Sequence, residues 1–251
     1  MRRFEFARRV PGKSALAILW WDVGRSVSQA WLMLWHRLRV VGRERVPDSG
    51  PLLFISNHQS FFDPVINGAA VADRQFSPIA REGLFKVPIF GAMIRSWGAL
   101  SVSGNGGDAS AIRVALGELQ AGRCVLIYPE GSRSPDGRTQ AFERGVLLLQ
   151  RRAKANVVPM GIDGAFDVWP RSRALPSLRG RIEVHVGELI PAERLAKLSA
   201  DEAMTLLHST VEALRLEARA SLRARTRGRW PKPGLDDRPA AAVVGSAEPA
   251  P

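Results

Sequence analysis

Gly50-Pro51-Leu52-Leu53-Phe54-Ile55-Ser56-Asn57-His58-Gln59-Ser60-Phe61-Phe62-Asp63-Pro64 sets an apolar run directly before a histidine and an aspartate. Residues 52–55, opened by Gly50-Pro51, read as a short buried strand. His58 leaves the end of that strand, and Asp63 follows five residues on. That interval suits a tight turn entering a helix, with Asp63-Pro64 near the helix start. Asp63 can then accept a hydrogen bond from one ring nitrogen and fix the tautomer, leaving the other nitrogen to face a hydroxyl as general base. A histidine and an aspartate at this spacing also occur by chance, and a satisfied loop histidine is the competing reading.

A second cluster changes that balance. Tyr128-Pro129-Glu130-Gly131-Ser132-Arg133-Ser134 again follows an apolar strand, Cys124-Val125-Leu126-Ile127. Proline and glycine alone would explain a turn there. They do not explain why a carboxylate and a guanidinium stand beside them. The two clusters resemble the NHxxxxD and FPEGTRS blocks of the glycerolipid acyltransferases of the lysophosphatidate (1-acylglycerol-3-phosphate) acyltransferase type, with Tyr128 for Phe and Ser132 for Thr. They come in the family's order and at a family-like separation.

The resemblance covers roughly residues 40–190. It implies an α/β fold: a single domain, a mixed β-sheet flanked by helices, and an active site on loops at strand ends. It implies acyl transfer from a thioester, acyl-CoA or acyl carrier protein, to a lysolipid hydroxyl, with His58 as base and Asp63 as its orienting partner. Acceptor-binding roles are implied for Asn57, Glu130, Gly131 and Ser132, with Arg133 near the acceptor's anionic end. The oxyanion donors are expected among backbone N–H groups near the helix after His58. No bound cofactor or metal is implied.

Further segments extend the resemblance. Arg81, delivered by a strand over residues 76–80, stands where the family commonly has a phosphate-holding lysine; Lys86 is a second candidate. Phe142-Glu143-Arg144-Gly145 opens a helix, and Val157-Val158-Pro159-Met160-Gly161-Ile162 matches a strand whose role is either pocket lining or core packing. One departure stands out. The family's glycine, followed six residues later by a phosphate-contacting arginine, is here Gly98 followed by Gly104. Either the acceptor differs, or the start of the helix over residues 109–121 holds the anion. Asp108, suited to cap that helix, argues for the altered acceptor. Gly104-x-Gly106 also suggests a dinucleotide fingerprint, but its acidic partner would be Glu130, which the second cluster already explains.

Charge and patterning bound the rest. The 251 residues carry a formal net charge of +12, with 36 Lys and Arg, and a pI near 11.2. That points to a polyanionic partner: nucleic acid or, favoured here, the anionic lipids of a membrane bilayer, since no nucleic-acid reading motif is present. The one cysteine, Cys124, sits in an apolar run and reads as core, and no Cys/His cluster has zinc spacing.

Residues 1–38 combine a basic terminus with an amphipathic stretch. Leu16, Trp20, Val23, Val27, Trp31, Leu34 and Leu38 fall on one helical stripe, with Asp22, Arg25, Ser26, Gln29 and His36 opposite. This segment is expected to lie in the bilayer interface as a monotopic helix or a hairpin broken near Gly24, placing the protein peripherally at the cytoplasmic face of a membrane. A helix packed on the catalytic domain is the alternative. Neither a cleavable signal nor a spanning helix is expected. The acyltransferase domain is assigned to residues 39–225. It opens with a strand over residues 40–46 and includes a half-exposed strand over residues 181–188. It closes with a helix from Ala200 to about Arg225, started by a Ser199/Glu202 capping box. On that helix Met204, Leu207, Val211, Leu214 and Leu222 form the apolar stripe, and Arg215, Arg219 and Arg223 another face. Residues 226–251 are expected to be a disordered tail.

Overall fold

The apolar runs of the sequence become seven strands of one sheet in the computed structural model, which describes residues 10–71, 74–102 and 107–237. The strands are β1 (Arg39–Val41), β2 (Leu52–Ser56), β3 (Phe76–Arg81), β4 (Leu100–Val102), β5 (Cys124–Ile127), β6 (Asn156–Asp163) and β7 (Glu183–Val186). Their order is β1-β7-β6-β2-β5-β3-β4. All neighbours are parallel except β6 and β7, so the sheet is mixed, as expected. The helices are α1 (Ala15–His36), α2 (Asp63–Ala70), α3 (Glu82–Phe85), α4 (Pro88–Ser96), α5 (Gly107–Gln120), α6 (Gly145–Ala153), α7 (Ala165–Val168), α8 (Ala192–Ala196) and α9 (Ala200–Arg225).

Alternation along the central strands explains the three layers. Leu52, Phe54, Leu126, Val158 and Met160 point to one face, where α1 and α2 contribute Trp21, Leu32, Ile66 and Ala69. Leu53, Ile55, Val125 and Val157 point to the other, under Ala115 and Leu119 of α5, Leu149 of α6 and Leu207 and Val211 of α9. Buried on both faces, β2 reads as a continuous apolar run.

Several expectations need correction. The strand expected over residues 40–46 is only β1 followed by a single 3-10 turn, Arg43–Arg45. Helix α1 runs unbroken through Gly24: the glycine is required because the Trp97 indole lies where a Cβ would sit, 2.6 Å away. Strand β7 is buried throughout rather than half-exposed, because α9 packs over it and Arg225 reaches Glu183 at 2.6 Å. His185 is structural there, bonded to Glu183 at 2.9 Å. Arg215 and Arg219, placed on a separate face of α9 by the sequence pattern, are buried with its apolar stripe. They are neutralised by Asp163 from β6 and by Asp236 and Asp237 from beyond the helix. Residues 226–237 are therefore folded back onto α9 and are no disordered tail; the rest of the expected tail lies outside the described residues.

The α9 capping box forms as expected, with Ser199 and Glu202 bonding each other's main-chain N–H. On α1 the stripe Leu16, Trp20, Val23, Val27, Trp31 and Leu34 is exposed. The helix packs instead through Ile18, Trp21, Leu32 and His36. Among the described residues no helix is long and apolar enough to cross a membrane.

Candidate active site

Strands β2 and β5 are parallel neighbours in register Ile55 with Ile127, so the chain leaves both at the same edge of the sheet. Crevices outside the carboxyl ends of parallel strands are where such folds place their sites. His58 follows Ile55 by three residues, and Glu130 follows Ile127 by three. Strand pairing alone thus brings the two clusters together.

His58 Nδ1 lies 2.7 Å from Asp63 Oδ2. The aspartate is fully buried, whereas the histidine side chain keeps 18% exposure. Since a carboxylate only accepts, the ring proton sits on Nδ1, and Nε2 carries the lone pair. The same Oδ2 accepts the N–H groups of Gln59 at 2.6 Å and Ser60 at 2.7 Å. Asp63 stands in the first turn of α2, where a negative charge is favoured, and Pro64 beside it needs no N–H partner. The Tyr128 ring stacks on the imidazole, centroids 4.0 Å apart and planes at 14°. Its hydroxyl accepts from Asn67 Nδ2 of α2 at 3.2 Å. Burial first, and then the Asp63 charge, raises the Tyr128 phenol well above its ordinary value, so it stays neutral.

Glu130 faces inward. Its carboxylate accepts the N–H of His58 at 2.7 Å and of Gln140 at 3.1 Å. Burial pushes this carboxyl up to about 8, against the pull of those two donors. The Ser134 N–H donates to the His58 carbonyl at 2.7 Å, so the two clusters are bolted together on both sides of His58. Gly131 has φ +68°, a left-handed backbone conformation that favours glycine, and a Cβ there would also have to displace the Glu143 carboxylate, 2.3 Å away. Ser132 is exposed at the tip of the turn. The Arg133 guanidinium covers the Phe61 ring, 3.4 Å from its centroid.

Not every expected site residue is free to meet a ligand at this sheet edge. Asn57 is fully buried, and its carboxamide bonds both the N–H and the carbonyl of Ile162, at 2.7 and 2.9 Å. It locks β2 to β6 and is unavailable to a ligand. Pro159 and its strand are likewise core. Arg81 ends β3 at the same sheet edge as the two clusters, but its side chain lies outside the described residues, as does Gly104. Lys86 is exposed and pairs with Glu82 at 3.1 Å. The expected oxyanion donors are not free either. Every main-chain N–H from His58 to Asp63 is committed: to Glu130, to Asp63 twice, to the Trp169 carbonyl, to Ser60 Oγ and to the Ser60 carbonyl. Tyr128, Asn67 and Ser134 were missed at the sequence level. Only Tyr128 left a signal: a hydroxyl in an otherwise apolar position needs a buried partner.

The chain is thus a three-layer α/β protein that sets a buried carboxylate against a half-open histidine at its strand ends. Residues 37–163 match the Acyltransferase family, half of the chain, and the protein belongs to that family. The chain is 28% identical over 138 residues to the chloroplastic 1-acyl-sn-glycerol-3-phosphate acyltransferase LPAT1 of Arabidopsis thaliana, covering 54% of this chain and 38% of that one. It is 25% identical over 179 residues to a 1-acyl-sn-glycerol-3-phosphate acyltransferase of Chlamydomonas reinhardtii, covering 70% and 53%. The chain thus spans about half or less of those relatives' own lengths. The crystal structure of the 1-acyl-sn-glycerophosphate acyltransferase PlsC from Thermotoga maritima superposes with a TM-score of 0.69 at 25% identity, covering 92% of this chain and 86% of that one.

Proposed function

We propose that this protein moves a fatty acyl group from a thioester, acyl-CoA or acyl carrier protein, to the hydroxyl of a lysophospholipid such as 1-acylglycerol-3-phosphate. The observation that carries the proposal is the 2.7 Å contact between His58 Nδ1 and the buried Asp63, with the histidine side chain keeping 18% exposure. The names of the relatives in Arabidopsis and Chlamydomonas support the acceptor class. In the step itself Nε2 of His58 takes the hydroxyl proton as the alcohol oxygen bonds to the thioester carbonyl carbon. Asp63 stabilises the imidazolium that results. As the carbon–sulfur bond breaks, the proton passes from His58 to the departing thiolate. No serine or cysteine nucleophile is required, so transfer is direct. Arg133, Arg81 and Ser132 are the candidates to meet the acceptor from the turn and the neighbouring strand.

Gly104, in place of the family arginine, favours a second reading in which the acceptor is a lipid alcohol without phosphatidate's usual anionic group. The exposed apolar stripe of α1 supports peripheral attachment to a bilayer, where either acceptor resides. A panel of lysolipids with acyl thioester, read as free-thiol release, tests all of this. The wild type should release thiol with lysophosphatidate and the His58→Ala variant should not. Release with every acceptor but lysophosphatidate selects the second reading. Equal release by both proteins removes the mechanism.

A further inference from the structure

A surface cavity of about 420 Å³ opens where the end of α1 meets the segment before β7 and the residues after α9. Trp35, Leu178, Arg179, Arg181, Arg229 and Trp230 line it, and none of the catalytic groups does. Three guanidiniums therefore share one hollow with two indoles. Among the described residues, no carboxylate pairs with Arg179, Arg181, Arg229 or neighbouring Arg37. Burial first, then Arg37 and Arg229, hold the Arg181 guanidinium below its ordinary value. Such a cluster costs the folded protein repulsion that an anion would relieve. Arginine forks bond phosphate oxygens two at a time, so a phosphate is an anion that suits the cluster. At the end of α1 the Leu32 carbonyl accepts from Leu38 and the His36 carbonyl from Ile182.

The exposed apolar side chains carried by two of the segments that line the hollow say where the phosphate comes from. Leu34, Trp31 and Trp35 on α1 are exposed, and so are Leu175 and Leu178 on the segment before β7. Leu34, Leu175 and Leu178 each keep more than two thirds of their surface in solvent, at 82%, 74% and 69%. A soluble phosphate compound has no use for that rim, whereas a bilayer buries it. We propose that this cavity is a binding site for the phosphate headgroup of an anionic membrane phospholipid, separate from the acyl acceptor site. It rests on the membrane attachment through α1 argued above, and it adds a second, headgroup-reading contact made by the segments before β7 and after α9. Bound there, a lipid would fix the rotation of the domain on the surface as well as its attachment.

The test uses the full chain and vesicle sedimentation, so it is independent of turnover. Phosphatidylcholine vesicles read the α1 face, and the gain in binding when phosphatidic acid is added reads the cavity. The triple variant Arg179→Gln/Arg181→Gln/Arg229→Gln should lose about 100-fold or more of that gain, at roughly 1 kcal/mol per arginine near an anionic surface. Its binding to phosphatidylcholine should not move, and its thermal midpoint should not fall, since the mutual repulsion of the cluster is removed. A control triple, Arg113→Gln/Arg152→Gln/Arg194→Gln, removes the same charge from exposed positions on the opposite layer and should lose less than about 3-fold. Equal losses in the two triples, or none in either, overturn the site. So does saturable binding of inorganic phosphate without vesicles, read by tryptophan fluorescence and lost in the cavity triple. If the wild type binds neither vesicle, the α1 attachment fails and takes this inference with it. Failure of acyl transfer alone would show as absent thiol release with vesicle binding intact.

Discussion

One oxygen of Asp63 accepts three donors, the His58 ring and two successive main-chain N–H groups. The residue therefore holds the His58 ring and shapes the loop that carries it. Asp63→Asn replaces charge-assisted bonds by neutral ones or by a donor facing donors. It should cut kcat about 1,000-fold by thiol release and also lower the thermal midpoint, whereas His58→Ala should do only the first. Unchanged stability in Asp63→Asn would contradict the shared-oxygen geometry. Glu130 acts on His58 through the backbone, so it is a positioning residue by geometry. Glu130→Gln keeps one acceptor oxygen and aims an amide N–H₂ at the other donor. It should lower kcat about 10-fold or more while leaving the acceptor KM within about 2-fold. A raised KM with normal kcat would instead put Glu130 on the acceptor. The pH dependence follows from its carboxyl, at about 8 against an ordinary 4.5. Between those values the folded protein holds a proton that the unfolded chain has released, so stability contributed by this group is full below 4.5 and falls as pH rises to about 8. Denaturant melts of Glu130→Gln should be flatter over that window than those of the wild type. The His–Asp pair was legible because spacing and strand ends decide it. That Glu130 turns inward was not, since a Pro-Glu-Gly turn can present its carboxylate to either side.

Helices and strands were legible where one face alone decides them, and less so where a partner element chooses. The α1 stripe reads directly from the 3.6 period, yet the period does not say which face packs. Trp21 against Phe76 and Trp97 over Gly24 settle it, and both partners are distant in sequence. For the same reason Gly24 looked like a break: a glycine that admits a ring and one that ends a helix are identical in sequence. Strand β7 looked half-exposed because Glu183 and His185 are polar, and their burial is made tolerable by each other and by Arg225 of α9 and Arg39 of β1 on Glu183. The prediction at this scale concerns the free stripe. Leu16→Ser/Val27→Ser/Leu34→Ser replaces three exposed side chains and touches no core contact. At about 25 cal/mol per Å² of apolar surface the loss should weaken sedimentation with phosphatidylcholine vesicles by about 100-fold or more. The thermal midpoint should stay within about 1 °C, because these residues are already in water. A large fall in midpoint with unchanged vesicle binding would mean that α1 is only a packed helix.

Across the whole molecule, one buried ionic network joins pieces that the sequence keeps far apart. Asp163 ends β6, Arg215 and Arg219 project from α9, and Asp236 and Asp237 come back from beyond it. Gln59, next to His58, reaches Asp163 Oδ1 at 3.3 Å, so the network also touches the candidate site. Composition hid this, since Pro, Ala and Gly after residue 226 resemble a loose tail, and two aspartates there carry no periodicity. The physical demand came from the other side: two arginines among the apolar positions of α9 could only be buried if acids from elsewhere met them. Asp236→Asn/Asp237→Asn therefore tests the closure of the fold. It removes one carboxylate from each buried guanidinium while leaving Glu212 on Arg215 and Asp163 on both. Stripping a partner from a buried pair costs about 3–5 kcal/mol, softened here by the acids that remain. At about 2–4 °C per kcal/mol for a chain of this size, the thermal midpoint should drop by roughly 5–15 °C. A chain ending at Gly228 should fall at least as far, because it also loses the main-chain carbonyls of Pro231 and Lys232 that accept from Arg223 and Arg219. Thiol release should weaken in both variants as Asp163 is drawn toward the arginines and away from Gln59. A midpoint that moves by less than about 1 °C in either variant would return residues 226–237 to the status of a tail.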